Sequence, residues 1–130
     1  MEELRPLVAA LLENGSKVSM FIDPDAEQVR ASAAVGAPMI ELHTGRFANT
    51  LGEERAAETA RLVAAAELAH SLGIEVHAGH GIQVANLADL SVVPHLTELN
   101  IGHTIICRAV FVGLTEAVRE MKTAVEMHKW

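Results

Sequence analysis

The stretch VHAGHGI, residues 76–82, is a short apolar run that ends in Gly79-His80-Gly81, and LNIGHTII, residues 99–106, ends the same way in Gly102-His103. A run of that length bounded by glycine reads as a strand followed by a tight turn. The segments between and before these runs read as helices. Leu4, Leu7, Val8, Leu11 and Leu12 recur at helical spacing before Gly15, which predicts an amphipathic first helix. KVSMFI at 17–22 is the first strand, and Asp25 with Gln28 three positions on is a capping-box signal for the next helix. PMIELHT at 38–44 is the second strand, followed by an Ala-rich helix over about Glu53 to Leu72. GIEVHAG is the third strand. A helical turn near Ala85 to Leu90 and a break at Pro94 lead to LTELNIG, the fourth, and a helical tail interrupted at Gly113.

Strands that alternate with helices of this length imply βαβ crossovers and a parallel sheet. The expected fold is α/β, a single domain over residues 1–130 built from about four (β/α) units. No linker or low-complexity segment divides the chain.

Composition narrows the functions. The chain has 130 residues, half of them apolar, enough for one real core. Ten basic against seventeen acidic residues leave a formal charge of -7, and no Lys/Arg cluster is present to follow a phosphate backbone, so nucleic acid is not the expected partner. No run approaches the roughly 20 apolar residues of a membrane span, and MEELRPL is too acidic for a signal peptide. A cytosolic protein is expected. Cys107, the one cysteine, lies in an apolar segment and reads as a small buried hydrophobe. His70, His95 and His128 fall on helix or loop positions and read as surface residues.

Polar residues within the strands carry the functional signal. Period two puts Ser19, Phe21 and Asp23 on one face of the first strand, Glu41 with His43 on the second, Glu75 with His77 and Gly79 on the third, and Glu98 with Asn100 and Gly102 on the fourth. If these faces point the same way, carboxylates, imidazoles and an amide converge inside a barrel or beneath a cleft, where an unpaired charge is costly. Glu41 and His43 also suit a structural pair in which the carboxylate fixes the ring. Asp23 and Asp25 read as helix caps.

Both Gly-His pairs sit at the carboxyl ends of strands, where ligands bind in parallel α/β folds. Glycine admits a ligand to the backbone N–H groups, and the following helix offers free amides and the positive end of its dipole, a combination that suits phosphate. His80 and His103 are placed to supply hydrogen bonds or protons. A turn that merely carries a polar residue is the competing reading for either pair alone. No zinc spacing, P-loop, GxGxxG or GxSxG occurs, so metal, nucleotide and serine chemistry lack a motif.

The runs SMFIDPDAEQV, IELHTG, AGHGI and ELNIGHTIICRAVFVGLTEAVREMK resemble the carboxy-terminal half of the pyridoxine 5'-phosphate synthase family, TIM (β/α)8 barrel enzymes of vitamin B6 biosynthesis. The resemblance covers nearly the whole chain. It implies condensation of 1-deoxy-D-xylulose 5-phosphate with 3-amino-2-oxopropyl phosphate, with release of phosphate and water and with no metal or organic cofactor. It also implies that His80 is the proton donor, that Gly81 contacts the aminoketone phosphate, that Gly102 and His103 bind its phosphate end, and that Glu41 is an acid/base candidate facing the barrel interior. His77 stands where the family usually has asparagine. The Asn-x-Asp-His motif, the Arg/His-rich segment with the general base and the further glutamate of the family's first half are absent from this sequence. A barrel of this kind usually needs roughly 200 residues or more. The implied partners are phosphorylated small molecules and either a second copy of the chain, closing a homo-oligomer, or a complementary half-barrel. A noncatalytic half-barrel that only binds small phosphates is the alternative.

Overall fold

The computed structural model describes residues 3–130. Helix α1 (Leu4–Glu13) leads into strand β1 (Ser19–Ile22), helix α2 (Ala26–Ala34), strand β2 (Met39–His43), the short helix α3 (Gly45–Asn49), the long helix α4 (Gly52–Ser71) and strand β3 (Glu75–Gly79). A 3-10 turn at Val84–Asn86 and the one-turn helix α5 (Leu87–Leu90) precede strand β4 (Leu96–Asn100), and helices α6 (His103–Val112) and α7 (Leu114–Glu126) follow. The expected units are all present. The Ala-rich helix begins one residue earlier than its first glutamate suggests, at Gly52.

The four strands pair in parallel in the order β1-β2-β3-β4. Sequential order means that each crossover advances the sheet in the same sense, so the helices gather on one face, as they do around a barrel. A doubly wound sheet reverses its order and covers both faces. The burial pattern follows this rule. Ile40, Leu42, Val76 and Ala78 are at most 1% exposed and pack against Leu62, Ala65, Ala66 and Ala69 of α4 and Phe47 of α3. Alanines at these α4 positions let the helix axis lie close to the sheet, because little side chain stands between them. A smaller cluster of Val8, Val18, Val35 and Ala37 holds α1 to the amino-terminal edge.

The other face alternates in polarity, contrary to the near-continuous apolar strands of a sheet covered on both sides. Its register aligns Phe21, Glu41, His77 and Glu98 in one row across the sheet. One row nearer the carboxyl ends, His43, Gly79 and Asn100 align. The polar faces therefore do point the same way.

Two capping details refine the sequence reading. Asp25 caps α2, accepting from the backbone N–H groups of Glu27 at 2.9 Å and Gln28 at 3.3 Å. Gln28 reaches back to the N–H of Asp23, and the Asp23 carboxylate caps nothing, turning instead toward His43.

Among the described residues β1 and β4 each have one strand neighbour only. Beside β4, a cleft of about 400 Å³ opens against α7, lined by Leu99, Ile101, Val118, Val125 and Trp130 among others. α6 buries no residue and leaves Ile106, Val110 and Phe111 59–82% exposed. No helix among the described residues is long and apolar enough to cross a membrane.

Candidate active site

At the carboxyl ends of the strands lies a cavity of about 220 Å³, lined by Phe21, Glu41, His80, Gly81, Ile82, Asn100, Ile101, Gly102, His103 and Thr104. All five residues singled out from the sequence, Glu41, His80, Gly81, Gly102 and His103, are on its wall. They come from β2, from the turn after β3 and from the junction of β4 with α6. This is where a parallel sheet offers free backbone amides and diverging loops to a ligand.

The turn after β3 is built with strain that nearby bonds hold in place. His80 has φ +82 and Gly81 φ +76, and the left-handed backbone costs a residue with a Cβ about 1–2 kcal/mol. Thr44, fully buried at the end of β2, secures the turn: its Oγ1 lies 2.7 Å from the Gly79 carbonyl oxygen and 2.6 Å from that of His80. Its backbone N–H also donates to Gly79, at 2.8 Å. Gly81 packs so closely on α3 that a Cβ there would stand 2.7 Å from Ala48 Cβ. Behind the turn, Asn86 donates to the Gly81 carbonyl at 3.4 Å and accepts from the Gln83 N–H at 2.9 Å.

Glu41 is not paired with His43. Its Oε2 accepts from Asn100 Nδ2 at 2.9 Å, across β3. The side chain can cross because Gly79 lies between: a Cβ on Gly79 would overlap the Glu41 carboxylate. His43 turns to Asp23, with Nδ1 3.4 Å from Oδ1. Asn100 thus belongs to the site, and its place two residues beyond Glu98 on the same face was the signal for it.

At the second Gly-His, Gly102 is the N-cap of α6 with no side-chain cap. The first intrahelical bond runs from the Ile106 N–H to the Gly102 carbonyl at 3.1 Å, so the amides of the first turn are the free donors of a helix N-terminus. Thr104 fixes this end by donating to the Ile82 carbonyl at 2.6 Å. No side chain crowds Gly102, since a Cβ there would meet nothing within 4 Å.

One reading needs correction. Cys107 is exposed rather than buried. It sits one turn after His103 with Sγ 3.5 Å from Nε2, on a helix that packs mainly against α7 and reaches the core through Ile105, so apolar neighbours in sequence did not become a covering layer. His77 is buried, with its imidazole facing Glu75 at 3.3 Å and Glu98 at 3.9 Å. Glu75 is thereby held below the ordinary glutamate range, by the Thr97 hydroxyl first and His77 second. Of the remaining histidines, His70 and His95 are exposed and stack at 3.7 Å, and His128 is half-buried. Among the described residues no group of three or more His, Cys, Asp or Glu is arranged to hold a metal ion.

Comparison with known proteins identifies the family. A family model described as pyridoxal phosphate biosynthesis protein PdxJ matches residues 1–127. Pyridoxine 5'-phosphate synthase of Akkermansia muciniphila is 60% identical over 96% of this chain and 51% of the relative. The proteins of the same name from Zymomonas mobilis and Idiomarina loihiensis are 49% and 46% identical, over 94% and 97% of this chain and 48% and 52% of theirs. The chain therefore spans about half the length of the curated relatives it matches. With the match running through both Gly-His turns and all four strands, the chain belongs to the PdxJ family of pyridoxal phosphate biosynthesis proteins.

Proposed function

We propose that this chain forms the carboxyl-terminal half of a pyridoxine 5'-phosphate synthase barrel and supplies its proton donor and one phosphate site. The observation that carries the reading is the convergence of Glu41, His80, Gly81, Gly102 and His103 on one cavity at the carboxyl end of the sheet. In this reading the phosphate end of 3-amino-2-oxopropyl phosphate rests on the first amides of α6 at Gly102 and His103, where fixed N–H dipoles complement the anion. Gly81 brings backbone against the same substrate.

The condensation with 1-deoxy-D-xylulose 5-phosphate closes the pyridine ring and expels phosphate and water, so leaving oxygens must gain protons. His80 delivers a proton as general acid. Glu41, oriented by the Asn100 amide, serves the proton transfers as an acid/base partner. Neither metal nor organic cofactor enters.

A second set of four βα units completes the barrel, as a second copy of this chain or as a complementary half-barrel. The outer edges of β1 and β4, unpaired among the described residues, and the apolar cleft beside β4 support this reading, because exposed parallel edges favour pairing with further strands.

The test is to assay the chain alone and co-expressed with the amino-terminal half of the Akkermansia muciniphila relative, with light scattering on the same samples. A closed complex with turnover is expected, and His80→Ala should lower turnover roughly 100-fold with little loss of substrate binding. Turnover that ignores His80→Ala would remove it from the chemistry. A closed complex that binds phosphate esters but converts nothing would make this a binding half-barrel.

A further inference from the structure

The imidazole of His80 makes no hydrogen bond among the described residues, although a proton donor has to present its ring in one direction. What touches that ring is His43. The two rings lie with centroids 4.8 Å apart and planes inclined at 50°. His43 is itself held on two sides: Asp23 Oδ1 lies 3.4 Å from Nδ1, and the edge of Phe21 meets the ring at 5.3 Å and 85°. Gly45 makes room for both imidazoles, since a Cβ there would stand 2.7 Å from His43 Cε1 and Nε2 and 3.1 Å from His80 Cδ2.

We infer that Asp23 and His43 are positioning residues for His80. This rests on the reading of His80 as proton donor. The negative charge of Asp23, 3.4 Å from Nδ1, favours the tautomer that carries its proton there, and together with the Phe21 edge it restricts the ring plane of His43. The fixed ring then limits the rotamers open to His80, whose left-handed backbone is already pinned through Thr44. The groups that face the His43 ring are Asp23 from the loop after β1, Phe21 from β1 and His80 from the turn after β3. Glu41, the nearest carboxylate on its own strand face, is engaged by Asn100. A tilted ring contact and one carboxylate beside the His43 ring therefore do for His80 what a hydrogen bond does for other general acids.

The first test uses the 130-residue chain and needs no turnover. Long-range proton-nitrogen spectra of the imidazoles should show His43 as the Nδ1–H tautomer, and Asp23→Ala should abolish that preference and move the His80 ring signals. His43→Leu should remove the fixed pattern of proton-proton contacts between the His80 ring and Gly45. Asp23 is well exposed, so its variant keeps the test valid should His43→Leu fail to fold. His80 ring signals that ignore both substitutions would overturn the inference.

The second test reads the completed barrel. Asp23→Ala should lower kcat roughly 10-fold while KM stays within about twofold, since misorientation of a catalytic group acts on the chemical step. If His80→Ala costs turnover and Asp23→Ala and His43→Leu do not, the positioning role fails while the proton-donor reading stands. If His80→Ala is itself silent, the proton-donor reading is the one that fails.

Discussion

The hydroxyl of Thr44, at the end of β2, lies 2.6 Å from the carbonyl oxygen of His80, thirty-six residues further along the chain. This one contact joins the second strand to the turn that carries the candidate proton donor. Buried hydroxyl-to-carbonyl bonds matter most when their loss leaves a buried acceptor unpaired.

Thr44→Val should therefore destabilise the chain by about 1–3 kcal/mol, and Thr44→Ser should recover most of the loss. The measurement is urea unfolding of the three proteins. Equal midpoints for wild type and the valine variant would show that the turn holds without the hydroxyl. Amide exchange in the turn should quicken in the valine variant well before global unfolding, because the strained His80 backbone loses its anchor.

The glycines of the two Gly-His turns differ in what they do. Gly81 combines φ +76 with a neighbour 2.7 Å from any added Cβ, whereas Gly102 has φ -126 and open space around it. Gly81→Ala should cost at least about 1–2 kcal/mol from backbone strain alone, and Gly102→Ala should leave unfolding unchanged. Gly102→Val should still weaken phosphate binding, because the added side chain stands over the free amides of α6. Phosphate titration followed by amide shifts would test this, and an unchanged affinity would remove Gly102 from the phosphate site.

The fold was legible because each strand is a short run rich in apolar residues and four of the helices, α1, α2, α4 and α6, are followed by a glycine, at Gly15, Gly36, Gly73 and Gly113. That Glu41, His77 and Glu98 each lie on the polar face of their own strand was legible too, since period two survives any error of a residue or two at a strand end. Partners across the sheet were not. Whether Glu41 meets His43 on its own strand or Asn100 two strands away depends on register and on the missing side chain of Gly79, and neither is written locally. Cys107 was misread because burial was inferred from the apolar residues beside it, while the face of α6 that carries them is itself uncovered.

Helix α6 is fastened to α7 by a bidentate pair, Arg108 Nε to Glu120 Oε2 at 2.7 Å and an Arg108 terminal nitrogen to Oε1 at 2.8 Å. The guanidinium holds the Glu120 carboxyl below its ordinary value of 4.5. A carboxylate whose folded value is depressed contributes stability above the unfolded value and loses it as pH falls through the folded one. Acidification below pH 4.5 should thus loosen α6 from α7. Arg108→Ala should return the Glu120 titration toward the ordinary value and speed amide exchange in α6 already at neutral pH. Carbon-detected titration of Glu120 checks the first expectation, and a midpoint that ignores Arg108→Ala would refute the pairing.

Glu41 reaches Asn100 only by passing over Gly79, so this glycine decides where the carboxylate points. Gly79→Ala places a methyl group where the Glu41 carboxylate now lies, and the flexible end of the glutamate has to give way rather than the strand. The expected structure of the variant keeps β3 in register and shows Glu41 swung off Asn100, with Asn100 Nδ2 left to solvent. Asn100→Ala should free the same carboxylate without filling its place. If Glu41 acts as an acid/base group from its present position, both variants lower turnover of the completed barrel, and Gly79→Ala does so more, because it displaces the carboxylate as well as unpairing it. Equal turnover in wild type and Gly79→Ala, with the displacement confirmed by crystallography, would show that Glu41 serves the sheet and not the reaction.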